Sequence, residues 1–254
     1  MSLFHKMLAS IGIGAAKVDT KLLSERLMAG DEVEGVIEIT GGQVAQVVDH
    51  IYLSLYATYT VEANDRKTTS HALIGKWKVT EQLTIGANEK RSIPFRFTLP
   101  IDTPISVGKT KVWLHTGLDI KQAVDPTDND YIRVEPIPIM TALLSSMETL
   151  GFRLREAECK KSSWHHRLPF VQEFEYVPKS GPFRGKLDEV EVIFFPLSKT
   201  EVEALLQIDR RARGIGSLFA EALDLDESYV RVRLTTADIP QLPQKLSQLI
   251  QSYC

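Results

Sequence analysis

The stretch His50-Ile51-Tyr52-Leu53-Ser54-Leu55-Tyr56-Ala57-Thr58-Tyr59-Thr60-Val61 decides how this chain is read. Its odd positions from Ile51 to Val61 are apolar, and its even positions from Tyr52 to Thr60 carry hydroxyls. A period of two is the signature of a strand with one dry face and one wet face. The same alternation returns at Ile93, Phe95, Phe97 and Leu99, set against Ser92, Pro94, Arg96 and Thr98. Two sheets packed face to face bury both stripes.

Outward from this segment, strands are expected over 15–26, 31–40, 47–61, 77–85, 92–99 and 110–118, with turns at Gly30, Gly41-Gly42, Asn64-Asp65, Gly86 and Gly108. Short strands at hairpin spacing argue for an antiparallel sandwich and against a parallel doubly wound sheet. Two prolines at Pro136 and Pro138 end this pattern, which places a boundary between a first domain, 1–135, and a second, 136–254. A length of 254 residues is long enough for two cores.

The second half opens with a helix carrying Ile139, Met140, Leu143, Leu144, Met147 and Leu150, closed by Gly151. Strands follow over 152–160, 168–177, 187–195 and 229–235. Ser198-Lys199-Thr200-Glu201 has the form of a capping box, so a helix is expected through Val202, Leu205, Leu206 and Ile208. Gly214 and Gly216 read as a turn into a short helix after Ser217, and a last helix spans about 239–251.

Composition narrows the function. A formal net charge of −3 gives no general attraction to nucleic acid, so none is expected as a partner. Cys159 and Cys254 are too far apart for a disulfide framework or a metal cluster, and free thiols fit a cytoplasmic protein. No apolar run reaches the roughly 20 residues that cross a bilayer. Residues 1–16 read as an amphipathic helix in preference to a signal peptide; membrane contact through it is not favoured.

No catalytic set can be assembled. Gly12-Ile13-Gly14 fits neither the dinucleotide fingerprint nor a phosphate loop, Gly214-Ile215-Gly216-Ser217 is no nucleophile elbow, and His165-His166 lack zinc spacing. No cofactor and no metal are expected. The acidic loop Asp125-Pro126-Thr127-Asp128-Asn129-Asp130 would suit a hard cation, yet it lacks the glycine and twelfth-position glutamate of an EF-hand. A turn capped by its own side chains is the preferred local reading. Arg210, Arg211 and Arg213 complement a helix end or face an anionic partner, and Tyr52 and Tyr56 stand on the wetter strand face as candidate partner contacts.

The strings Gly12-Ile13-Gly14-Ala15-Ala16-Lys17-Val18-Asp19-Thr20 and Val112-Trp113-Leu114-His115-Thr116-Gly117-Leu118-Asp119-Ile120, with Ala123-Val124-Asp125-Pro126 and Gly216-Ser217-Leu218-Phe219-Ala220-Glu221, resemble the bacterial sporulation-control protein family, whose N-terminal half is arrestin-like. The resemblance covers the whole chain. It implies a mainly β molecule of tandem arrestin-like antiparallel β-sandwich domains, the second with helical additions. It also implies a non-enzymatic cytoplasmic regulatory or adaptor protein that works through protein partners, with self-association left open. Arrestin-like proteins hold their domains by buried charges, so Asp125, Asp128, Asp130 and Arg133 become the matching candidates for a latch at the domain junction. The alternative is a β-sandwich that binds a divalent cation or a polar ligand.

Overall fold

The structure, a computed structural model, describes residues 15–63, 66–120, 125–162, 167–210 and 227–254. The chain is mainly β. It divides into two compact units: one gathers the described residues up to Thr58 with His71–Ser106 and Lys111–Val134, and the other gathers Tyr59–Ser70, Val107–Thr110 and Glu135–Cys254. Two pieces of the first half therefore belong to the second unit, which a single cut near Glu135 does not capture.

The first unit holds β1 (Lys17–Leu22), β2 (Arg26–Met28), β3 (Glu32–Thr40), most of β4 (Gln46–Ala63) and β5 (Arg66–Thr80), β6 (Leu83–Ile85), β7 (Lys90–Thr98), β8 (Val112–Ile120) and nearly all of β9 (Thr127–Glu135). One sheet has the order β1-β3-β7. In the other, β4 pairs antiparallel with β8, β8 with β9, and β2 flanks β9, while β5 and β6 also pair with β4. The alternation in β4 is realised in the folded chain: Ile51, Leu53, Leu55 and Ala57 are buried, as are Val33, Ile37, Phe95 and Phe97 of the other sheet. Each of these side chains larger than alanine stabilises the fold by about 1.5–3 kcal/mol through removal from water. Trp77 of β5 stacks on Phe97 at 3.9 Å between centroids, joining the two layers.

The second unit carries β10 (Phe152–Lys161), β11 (Phe170–Pro178), β12 (Leu187–Ser198), β13 (Glu201–Arg210) and β14 (Glu227–Thr235), each antiparallel to the next. Lys160 of β10 also pairs in parallel with Thr60 of β4. Helix α1 (Pro138–Thr149) begins with proline at its first position, where no amide donor is needed. It buries Ile139, Met140, Leu143 and Met147, and ends at Gly151 with φ +90°. Helix α2 (Leu242–Gln251) lies against α1 and buries Leu242, Leu246 and Ile250.

Several sequence expectations need correction. The segment after Ser198 is strand β13, not a helix, and the turn at Lys199-Thr200 closes a hairpin with Ser198 opposite Glu201. Arg210 accordingly ends a strand, not a helix. The capping box lies instead at Thr235 and Asp238, whose carboxylate accepts the Thr235 amide proton at 2.8 Å and opens a 3-10 turn over Thr236–Gln241 before α2. Much of the acidic loop is strand, since β9 starts at Thr127. Strand β5 begins at Arg66, well before Trp77. The N-terminal helix, Asn64-Asp65, His165-His166, Arg211, Arg213 and the Gly214–Ser217 turn lie outside the described residues.

Candidate functional site

Two features of the first unit gather chemistry. The first is the outward face of the sheet around β4. Register sets Tyr56 opposite Trp113 and Trp113 opposite Tyr131, so three large aromatics form a row across β4, β8 and β9. Tyr56 and Trp113 stack at 5.5 Å with 19° between their planes, and Tyr131 lies 6.3 Å beyond, 62% exposed. His71 of β5 meets Trp113 edge-on at 4.9 Å, His115 meets Tyr56 at 6.2 Å, and His50 meets Tyr52 at 5.7 Å. All histidines among the described residues thus lie on this one face. Lys76 places its ammonium 4.1 Å from the centre of the Tyr52 ring. His115 Nδ1 is 2.9 Å from Asn129 Oδ1, which fixes the orientation of the imidazole.

The sequence marks Tyr52 and Tyr56 as outward aromatics of one strand, and Trp113, His115, His71, Tyr131 and Lys76 join them only through the fold. The signal was present at Trp113 and His115, which alternate with the buried Val112, Leu114 and Thr116. Exposed aromatics grouped in this way are what interface anchors look like.

The second feature is the inward face of β9 near the edge of the sandwich. Residues of even number on this strand turn toward the facing sheet: Ile132 and Val134 are buried, Asp128 and Asp130 half-buried. The Thr20 amide of β1 donates to Asp128 Oδ2 at 2.7 Å, and the Thr20 and Thr116 hydroxyls are 2.7 Å apart. Asp128 thus satisfies a backbone donor on the open edge of β1, at a buried position where it would otherwise be unpaired. Asp130 Oδ2 is buried without a hydrogen bond. Desolvation, then the charges of Asp128, Asp19 and Glu25, raise its carboxyl to about 6.

A raised acid penalises the fold wherever it is ionised. The cost is absent below about pH 3.8, grows with rising pH and is complete above about pH 6. Asp130→Asn should therefore gain about 1 kcal/mol near neutral pH, after allowance for solvent screening, or roughly 2–4 °C in melting temperature. The gain should vanish near pH 4, and an equal gain at both pH values refutes this account.

Asp125 acts as a turn cap, its Oδ1 accepting the Ile120 amide proton at 2.9 Å. Arg133 lies on the opposite face of β9 from Asp128 and Asp130, so strand geometry does not gather the candidate latch residues into one cluster. All four belong to the first unit. Arg210 is exposed in the second unit, opposite Leu187. Among the described residues no group of three or more His, Cys, Asp or Glu side chains is arranged to hold a metal ion. Cys159 is buried, and desolvation pushes its thiol up to about 12, which makes it a poor nucleophile.

The family model described as SpoOM protein matches residues 4–212. The chain belongs to the Spo0M family. A curated relative, the sporulation-control protein spo0M of Bacillus subtilis strain 168, is 42% identical over 257 residues, covering 100% of this chain and 99% of the relative. A crystal structure of Spo0M, sporulation control protein, from Bacillus subtilis superposes with a TM-score of 0.85 at 38% identity, covering 95% of this chain and 100% of that one. Of the strings that suggested the Spo0M family, Val112–Ile120 is strand β8, whose outward side presents Trp113 and His115. Among the described residues no helix is long and apolar enough to cross a membrane.

Proposed function

We propose that this chain is a non-enzymatic regulatory protein of the sporulation-control type, acting in the cytoplasm by holding protein partners on the outward aromatic face of its first unit. The relative's name supports the regulatory role. The observation that carries the contact role is the row Tyr56, Trp113 and Tyr131, set by strand register and left open at Tyr131. Large aromatics on a rigid sheet bring contact area at low entropic cost, which is why they dominate binding energy at interfaces.

The test uses the full chain as bait in a lysate of its own cell, beside Tyr131→Ala and Trp113→Ala. Tyr131 is mostly in water, so its removal should leave the melting temperature nearly unchanged. Loss of an aromatic anchor worth about 2 kcal/mol weakens a partner roughly thirtyfold. Specific proteins retained by the parent chain and lost from both variants support the reading. Identical recovery from all three, or turnover of a substrate in a general screen, refutes it.

A further inference from the structure

We infer that the aromatic face of the first unit docks an acidic protein segment with apolar anchors between its carboxylates, an assignment that rests on the contact role proposed above. The protein as a whole is mildly acidic, with a net charge of −3, yet cations stand next to each of the aromatic strands of this face. Lys76 stands over Tyr52, its ammonium held by the ring 4.1 Å away. Exposed Lys111 precedes Trp113 by two residues and so faces the same side, fixed by reciprocal bonds with Thr58: the Thr58 amide donates to the Lys111 carbonyl at 3.0 Å, and the Lys111 amide donates to Thr58 Oγ1 at 3.0 Å. Exposed Arg133 follows Tyr131 by two residues on the same side of β9. The acidic residues of this face on β8 and β9 are Asp119, at the far end opposite His50, and Glu135, the half-buried last residue of β9, two positions beyond Arg133. Lys76 of β5, Lys111 just before β8 and Arg133 of β9 therefore border an apolar centre that also includes Leu73, 47% exposed on β5.

The ring geometry separates this occupant from a nucleic acid. Bases bind single-strand platforms by stacking on open ring faces. Here one face of Trp113 is taken by Tyr56, and His71 contacts its ring edge-on. Of the row, Tyr131 alone is mostly exposed, which leaves room for an apolar side chain beside it but no run of open ring faces for successive bases, and carboxylates on either side reach the bordering cations. Charge complementarity of this kind sets partner choice and association rate, and it weakens with salt.

Fluorescence anisotropy of the full-length protein tests this with three probes: a fluorescein-labelled peptide alternating Asp and Leu, the same peptide with Lys for Asp, and a thymidine oligonucleotide. The acidic peptide should bind at least about tenfold tighter than the lysine peptide. That preference should shrink as salt is added and be lost in a Lys76→Glu, Lys111→Glu double variant. Tyr131→Ala should weaken the acidic peptide by about tenfold. Equal affinity for the two peptides, a preference unmoved by the double variant, or tighter binding of the oligonucleotide overturns the inference. If the peptides are not distinguished while Tyr131→Ala still loses the proteins captured from lysate, the acidic assignment falls and the contact face stands. If Tyr131→Ala captures the same proteins as the parent chain, the contact face itself falls.

Discussion

Gly151→Val should cost the second unit about 4 kcal/mol of unfolding free energy. Gly151 sits at φ +90°, and a Cβ placed there would lie 2.4 Å from the Ser180 carbonyl oxygen, 2.7 Å from its carbon and 2.8 Å from its hydroxyl. The backbone Ser180 atoms cannot swing aside as a long side chain would. The Gly151 carbonyl also accepts the amide protons of Lys179 at 2.9 Å and Ser180 at 3.1 Å, which tie the end of β11 to the end of α1. A non-glycine residue in a left-handed conformation loses about 1–2 kcal/mol, more when β-branched. Each displaced backbone bond adds about 1 kcal/mol. Denaturant titration followed by circular dichroism measures the sum. A loss below about 1 kcal/mol would mean that the turn relaxes freely and that this contact does not set the α1 terminus.

Lys67→Met should destabilise the same unit by about 3 kcal/mol. Glu158 is 4% exposed at its side chain, and its partner Lys67, half in water, lies 3.7 Å from Oε2. Thr60 donates its hydroxyl to Oε1 at 2.5 Å, while Oε2 accepts no hydrogen bond. Glu173 stands directly across the ladder, itself bridged to Lys160. Removing Lys67 leaves a buried carboxylate beside another acid, with one hydroxyl to solvate it and Lys160, already bridged to Glu173, as the remaining nearby cation. Breaking a buried pair in this way costs about 3–5 kcal/mol, and the lower end applies because Lys67 is partly solvated. Adding Glu158→Gln to Lys67→Met should recover most of the loss. If the double variant is no more stable than Lys67→Met alone, the carboxylate charge is not the cause.

The first unit was legible because its strands are covered on one face only. Ile51, Leu53, Leu55 and Ala57 alternate with hydroxylic neighbours, and the period of two survives in the sequence. Strand β13 looks helical in the sequence for the opposite reason. Val202, Ala204, Leu206 and Ile208 do alternate, but Leu205 is also buried, in a cluster with Val171 and Ile193 on the other face of the sheet. That one residue turns a period of two into spacings of three and four, and the preceding Ser198 to Glu201 imitates a helix start. In the structure Glu201 instead bonds the Arg233 guanidinium on β14.

The acidic run reads as a loop in the sequence because its composition outweighs its pattern. Asp128, Asp130, Ile132 and Val134 share one side of β9, but carboxylates at inward positions look like loop until their partner is known. That partner, the Thr20 amide, lies 108 residues away and leaves no local trace. The aromatic face was half visible. Tyr52 and Tyr56 stand on the outward positions of β4, whereas their grouping with Trp113, His71 and Tyr131 depends on strand pairing that no single segment records.

Strands β4 and β5 belong to the first unit over most of their length, yet Tyr59–Ser70 belongs to the second, where Tyr59 stacks on Phe170 at 5.6 Å and Thr60 and Lys67 serve Glu158. Neither half is a portable cassette. A gene fragment stopped at Val134 would encode a ribbon whose tip has lost its setting, and one begun at Glu135 would encode an acid without its counterion. Recombination that swaps halves between relatives would break these contacts unless both parents carry the matching pair, so inheritance should move the two units together and their sequences should drift in step.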